Sequence, residues 1–281
     1  MDAIETFKGI VRKGNADALR EFLSANPDFI NTKVPWSYGS PKIHQSSPLD
    51  YVINAPFHKL TDHADPADFV RVLLAAGSKV GGYNPPGKDT PLHGSVSLSL
   101  PRIAEALLDA GADLETTSTY PGIPIGTPLD FAVHFGMEAC VDLLVSRGAE
   151  IKNLRMAAGS GDLDKTIHLL HDPSLTARDR IDGFRCAVLC GKEETAKVFI
   201  NRGIDLHAEI DDATVLHHAA WHGSIKGVKL MIDFGASPAK KDPVHGSTPL
   251  GWAEYRLQLA GEQFTLNEVV AFLKPLTPTE P

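Results

Sequence analysis

The feature that most constrains this chain is a two-part signature that recurs along it. A paired apolar step closing on a glycine turn reads LLAAGSKV at 73–80, LLDAGADL at 107–114, LLVSRGAEI at 143–151, FINRGIDL at 199–206 and MIDFGASP at 231–238. Degraded copies stand at 22–30 (FLSANPDFI) and 169–175 (LLHDPSL), and FLKPL at 272–276 lacks the turn. Ahead of most of these steps comes a second mark. It reads SPLDYVINA at 47–55, TPLHGSVSL at 90–98, TPLDFAVHFG at 127–136, TVLHHAAWHG at 214–223 and TPLGWAEY at 248–255, with weaker versions at 7–14, 154–161 and 184–191. Self-similarity of this kind marks a repeat architecture.

Each copy has the physics of a short helical hairpin. Thr or Ser caps the first helix through its side-chain oxygen, and proline at the next position suits a site where no amide donor is needed. Small pairs such as Ala219 and Ala220 let that helix pack closely. Glycine then supplies the positive φ that ends it. The second helix buries its apolar step and stops at another glycine. Neither helix covers its apolar face alone, so neighbours must stack into a continuous core.

The pattern resembles the ankyrin repeat, on TPLH at 90–93, the TVLHHAAWHG block and the LLDAGAD-type ends, over nearly the whole chain. The family unit is about 33 residues long with T-P-L-H-x-A as its mark. The resemblance implies an all-α solenoid of stacked helix-turn-helix units with extended loop fingers. As one domain over 1–281, its units fall near 1–32, 33–82, 83–118, 119–152, 153–181, 182–210, 211–244 and 245–276, with a tail at 277–281. Spacings between Leu49, Leu92 and Leu129 exceed the family unit, so loops are inserted; the short step from Leu129 to Leu154 implies a lost finger near 150–153. The mutated signatures and irregular loops look like those of a stand-alone bacterial array.

The resemblance also divides the three histidines of TVLHHAAWHG. His217 takes the TPLH position, which in the family holds the turn and the helix start. Trp221 and His222 take the two positions before the glycine, which in the family face the concave groove and commonly touch a ligand, and His218 is intermediate. A metal needs three or four ligands converging on it. With helices stacked about 8–10 Å apart, His134, three repeats earlier, is expected roughly 25–30 Å from His222. No metal and no cofactor is expected.

Two groove patches stand out: His134 with Phe135, and Trp221 and His222 with Tyr255 and Arg256. Trp, Tyr and Arg are the residues most often found at interface hot spots. The long loops 33–47, 81–89 and 119–126 add Trp36, Tyr38, Tyr83 and Tyr120. Loops positioned by a scaffold commonly carry binding; the bland alternative is that these rings pack on each other.

A formal charge of −8 argues against nucleic acid as the main ligand and suits a basic partner. There is no run of the roughly 18–20 apolar residues that cross a bilayer, and no secretory signal at the N-terminus. Three cysteines make no disulfide framework, so a cytoplasmic setting is expected, and the resemblance to capped arrays implies a monomer. The motifs G-x-S-x-G, GxxxxGK[ST], G-x-G-x-x-G, HExxH and CxxC are missing. The first expectation is a non-catalytic scaffold binding a protein partner through groove and fingers. The second is a small-molecule site or enzyme under the fingers, lined by Tyr120, Asp130, His134 and Phe135, with His134 as base. An aromatic-lined cavity of at least about 300 Å³ would favour the second.

Overall fold

Each first mark in the sequence starts or lies within the first helix of a pair, and each apolar step falls at the end of the second. The computed structural model describes residues 2–37, 43–62, 66–85, 87–260 and 264–277. Their helices pair in chain order. The pairs are α1 (Ala3–Lys13) and α2 (Ala16–Ala25), α3 (Pro48–Asn54) and α4 (Ala67–Ala75), α5 (Pro91–Ser97) and α6 (Pro101–Asp109), and α7 (Pro128–His134) and α8 (Glu138–Ser146). The chain continues with α9 (Leu154–Ser160) and α10 (Leu163–Leu169), α11 (Ala177–Leu189) and α12 (Glu193–Asn201), α13 (Val215–Trp221) and α14 (Ile225–Asp233), and α15 (Pro249–Ala260) and α16 (Phe264–Leu273).

The local causes are those read from the sequence. Ser47 accepts the Asp50 amide at the start of α3, and Thr90 accepts the His93 amide at the start of α5. Proline stands at the first position of both helices. The closing glycines are left-handed, as at Gly161 (φ 81°) and Gly223 (φ 69°), where a β-carbon would be strained. At Thr214 the expected cap is replaced, because its hydroxyl bonds His217 Nδ1 at 2.7 Å and not a backbone amide.

The chain forms two compact units, Met1–Phe131 with Ser146–Ala149, and Ala132–Val145 with Glu150–Pro281. The first unit opens on an aromatic core in which Phe7 lies 5.0 Å from Phe29 and 5.6 Å from Tyr51. Its first finger is an antiparallel pair, β1 (Val34–Trp36) and β2 (His44–Ser46), with Val34 opposite Ser46. Its third finger is tied down by Asp130, whose Oδ2 accepts the amides of Ile125 (2.9 Å) and Gly126 (3.1 Å).

The second unit is built on a cluster that includes Phe184, Val188, Phe199, Leu216, Met231 and Val269. Burying each such side chain contributes about 1.5–3 kcal/mol. A two-stranded finger, β3 (Glu209–Ile210) and β4 (Ala213–Thr214), turns at Asp211 and Asp212, both at positive φ. Between Ser146 and Leu154 there is no strand. The inner edge of this unit is tightly compressed. A β-carbon on Gly159 would meet Val133 Cγ1 at 2.5 Å, and one on Gly136 would meet Leu189 Cβ at 2.9 Å. Lys226 Nζ lies 2.7 Å from Glu138 Oε2 across three repeats.

Candidate functional site

The fourth position of the first mark carries the site's chemistry. Where it is histidine, it staples one repeat to the next. His93 Nε2 donates to the Gly126 carbonyl (2.9 Å) while Nδ1 faces the Thr90 hydroxyl (2.8 Å). His217 Nε2 donates to the Ser247 carbonyl (3.1 Å). A carbonyl only accepts, so the proton sits on Nε2 in both rings. Burial lowers both pKa values, which keeps these rings neutral.

In the second unit two repeats replace this histidine with Arg155 and Arg185. Their side chains are 6% and 4% exposed. Arg155 reaches forward, Nη1 lying 3.3 Å from Oδ2 of Asp182 in the next repeat. Arg185 closes on the other oxygen of the same carboxylate, with Nε at 2.9 Å and Nη2 at 2.5 Å from Oδ1. Arg155 Nη2 donates to His134 Nδ1 at 3.0 Å. Burial first, then Arg185 and Arg155, push His134 down to about 3. Burial likewise takes His218 down to about 4, its Nε2 donating to the Ile210 carbonyl at 2.8 Å. His222 is also lowered well below its ordinary value, chiefly by burial and then by His218, Arg185, His134 and Arg256. Sequence reading missed both arginines. The signal was present, since each stands where TPLH has its histidine.

A strip of rings runs beside this cluster. His134 lies 4.9 Å from Phe135, and Phe135 lies 6.3 Å from His222. Trp221 lies 5.8 Å from Trp252 and 6.4 Å from Tyr255, with the Arg256 guanidinium 5.4 Å above its ring. Tyr255 is 56% exposed. An open hollow of about 570 Å³ is lined here by Trp221, His245, Ser247, Gly251, Trp252 and Tyr255. Trp252 is its fixed wall, because its Nε1 donates to Asp242 Oδ2 at 2.9 Å. Burial raises the Asp242 pKa, but bonds from His245, Trp252, Ser247 and Val244 outweigh it and hold the carboxyl at about 2.

The contact between Phe135 and His222 corrects the separation of roughly 25–30 Å expected from stacked helices. That estimate assumed full-width spacing. Here α9 ends in Gly159 and Ser160 and is capped by Gly161, which together present little bulk, and Gly136 closes directly on Leu189. Among the described residues, no three His, Cys, Asp or Glu side chains converge as metal ligands.

Two of the described finger aromatics are engaged by the first unit itself. Trp36 is stacked 4.7 Å from His44 and tilted 4.4 Å from His58, and its Nε1 donates to Ser46 Oγ at 3.0 Å. The Tyr83 hydroxyl bonds Asn31 Oδ1 at 3.1 Å, with Lys79 over the ring. Tyr38 lies outside the described residues. Tyr120 is exposed and lines an open hollow of about 540 Å³ with Pro121, Ile123 and Pro124, a single ring among aliphatic and backbone surface. Of the residues expected to serve catalysis there, Asp130 is fully buried in holding its own finger. His134, bonded to Arg155 and at about 3, is too weak a base to take a proton near pH 7.

Residues 154–242 match the family model described as Ankyrin repeats (3 copies). The chain is similar to the ankyrin repeat and KH domain-containing protein mask-1 of Caenorhabditis elegans, 26% identical over 220 residues, covering 65% of this chain and 8% of that protein. It is also similar to the B-cell lymphoma 3 protein homolog of Mus musculus, 27% identical over 194 residues, covering 67% of this chain and 37% of that one. The chain therefore spans well under half the length of these relatives. Among solved structures, the human ASB11 ankyrin repeat domain aligns over 94% of this chain and 96% of its own at 17% identity, TM-score 0.41. The Bcl-3 ankyrin repeat domain aligns over 95% and 97% at 20% identity, TM-score 0.40.

Proposed function

Residues 154–242 of this chain match ankyrin repeats, and from that premise we propose that the chain is a non-catalytic ankyrin repeat scaffold taking a protein partner on the aromatic face of its second unit. One contrast carries the reading. Trp36 and Tyr83 are engaged within the first unit, Trp36 by His44, His58 and Ser46 and Tyr83 by Asn31 and Lys79, whereas Tyr255 stands exposed beside a half-buried Trp221 that carries Arg256 on its face. Trp, Tyr and Arg held on a rigid element and only partly covered make the composition of an interface anchor. His134, Phe135 and His222 extend the same face, while Tyr120 stands exposed on its finger. A net charge of −8 favours a basic partner surface around that anchor. The three cysteines are free and buried, which suits a reducing cytoplasmic setting, and the reading takes the chain as a monomer.

The test is affinity capture from a lysate of the source cells with wild type and with Trp221→Ala/Tyr255→Ala, the variant first shown to keep its helical circular dichroism. A protein held by wild type and lost by the variant supports the reading. One held equally by both moves the interface elsewhere.

A further inference from the structure

The first finger has two edges, and only one of them is closed. Its ladder pairs Val34 with Ser46, Pro35 with Gln45 and Trp36 with His44. Pro35 has no N–H to give, so its pair is the unbonded one and the flanking pairs carry the ladder. The outer edge of β1 is therefore blunted by proline. On the other side, the N–H and C=O of Gln45 point away from β1 and meet no partner among the described residues. Among the described residues the next loop, 81–89, adds no strand to that edge. It closes on itself instead, Asn84 Nδ2 donating to the Asp89 carbonyl at 2.8 Å. Gln45 is exposed, and Ile43 near it is 65% exposed. An open edge of this kind takes an extended segment through main-chain hydrogen bonds.

The surroundings of the edge narrow the choice of segment. Gln45 and Ser46, and none of the three β1 residues, line a hollow of about 220 Å³ together with Asp50, Asn54 and Asp89. Asp50 stands at the position from which His93 and His217 donate to the next turn's carbonyl. An ionised carboxylate has no proton to donate, so that staple is lost at this junction. Burial raises the Asp50 pKa in spite of Ser47 and Lys33, so the carboxylate is desolvated more than it is compensated. Asn54 Nδ2 donates to the Asp50 carbonyl at 2.8 Å, which leaves its amide oxygen as an acceptor. Among the described residues of the lining, the exposed Lys33 is the one cation against two carboxylates. A side chain entering this hollow meets acceptors and an excess of negative charge, which suits an ammonium or guanidinium group.

We infer that the β2 edge of the first finger receives an extended segment of another protein, with Gln45 exchanging hydrogen bonds with its backbone and a Lys or Arg side chain of the segment entering the Asp50 hollow. This surface lies on the first unit and goes beyond the aromatic face of the second.

The test is an amide NMR titration of the full chain with the blocked peptide acetyl-Thr-Val-Lys-Val-Thr-amide, and with the same peptide carrying Glu in place of Lys. The Lys peptide is expected to shift the Gln45 amide and to bind at least about tenfold more tightly than the Glu peptide. Gln45→Pro deletes the outward N–H at an unbonded position of the ladder, as Pro35 does on β1. It is expected to weaken the Lys peptide by about 3–10-fold, the loss of one ordinary hydrogen bond, whereas Gln45→Ala leaves binding unchanged. Asp50→Asn keeps the shape and removes the charge, and is expected to bring the two peptides within about threefold of each other. Should Gln45→Pro fail to fold, the Asp50→Asn comparison decides alone. A Gln45 amide that does not move, a Glu peptide bound as tightly as the Lys peptide, or Gln45→Pro binding like wild type overturns the inference. A Gln45 shift that follows protein concentration without peptide also overturns it, because the edge is then taken by a second copy of the chain.

Discussion

Arg155 Nη1 lies 3.3 Å from Asp182 Oδ2, and the same carboxylate holds Arg185 Nε at 2.9 Å from its other oxygen. One half-buried acid thus serves two buried guanidiniums from successive repeats. Removing one partner of a buried ion pair costs about 3–5 kcal/mol because the charge left behind stays desolvated. Asp182 keeps some solvent contact, so Asp182→Ala is expected to cost about 2–4 kcal/mol. Urea unfolding checks this. A loss below about 0.5 kcal/mol, the size of an ordinary surface change, would mean that the carboxylate is not what holds the two arginines.

How far such a site could be read from sequence depends on what carries the signal. The hairpin of each repeat is written locally, in Thr90-Pro91, in Ala219-Ala220 and in glycines such as Gly223, because caps and φ preferences act over a few residues. The same holds for the side chains of Trp221, Tyr255 and Arg256, which adjacent repeats bring together. What the pattern does not carry is the distance between repeats. That is set by bulk at the inner edge, where Gly136 closes on Leu189 and brings Phe135 to His222. Nor does it carry the roles of Arg155 and Arg185, which depend on a partner acid supplied from one repeat.

Acid should destabilise the second unit through its neutral histidines. In the unfolded chain a histidine takes up a proton near its ordinary pKa of about 6.5, while His134 and His218 resist until about 3 and about 4. Between those values the unfolded state binds more protons, so stability rises with pH across the window. The contribution is fully present above about pH 6.5 and is lost as pH falls towards the folded values. Thermal melts at about pH 7.5 and about pH 5 should show the loss, and His218→Phe should shrink the difference, since each proton excluded contributes about 1.4 kcal/mol per pH unit. An equal pH dependence in the variant would place the sensitive group elsewhere.

The inner-edge contact separates two costs that glycine usually conceals. Gly203 has φ of 78° with nothing near an added β-carbon, whereas Gly136 has φ of 70° with Leu189 against it. Gly203→Ala should therefore cost only the left-handed penalty of about 1–2 kcal/mol. Gly136→Ala should cost that plus about 1–3 kcal/mol of overpacking. Denaturant midpoints of the two variants measure the difference. Equal losses would show that the inner edge yields to a methyl group at no cost.

The first finger offers the sharpest contrast with the aromatic face. Trp36 is held between His44 and His58 and bonded to Ser46, so its ring is spent on holding the finger. Trp36→Ala should cost about 1–3 kcal/mol of stability, the range for removing a packed side chain, and leave partner capture intact. Tyr120 meets Phe131 at 5.7 Å but is exposed, and Tyr120→Ala should change stability by less than about 1 kcal/mol. Running both variants beside Tyr255→Ala in the same capture assay assigns the contact surface. If either finger variant loses the partner while its helical signal and denaturant midpoint are kept, the fingers carry recognition, and the face around Tyr255 is no more than the covered end of a repeat.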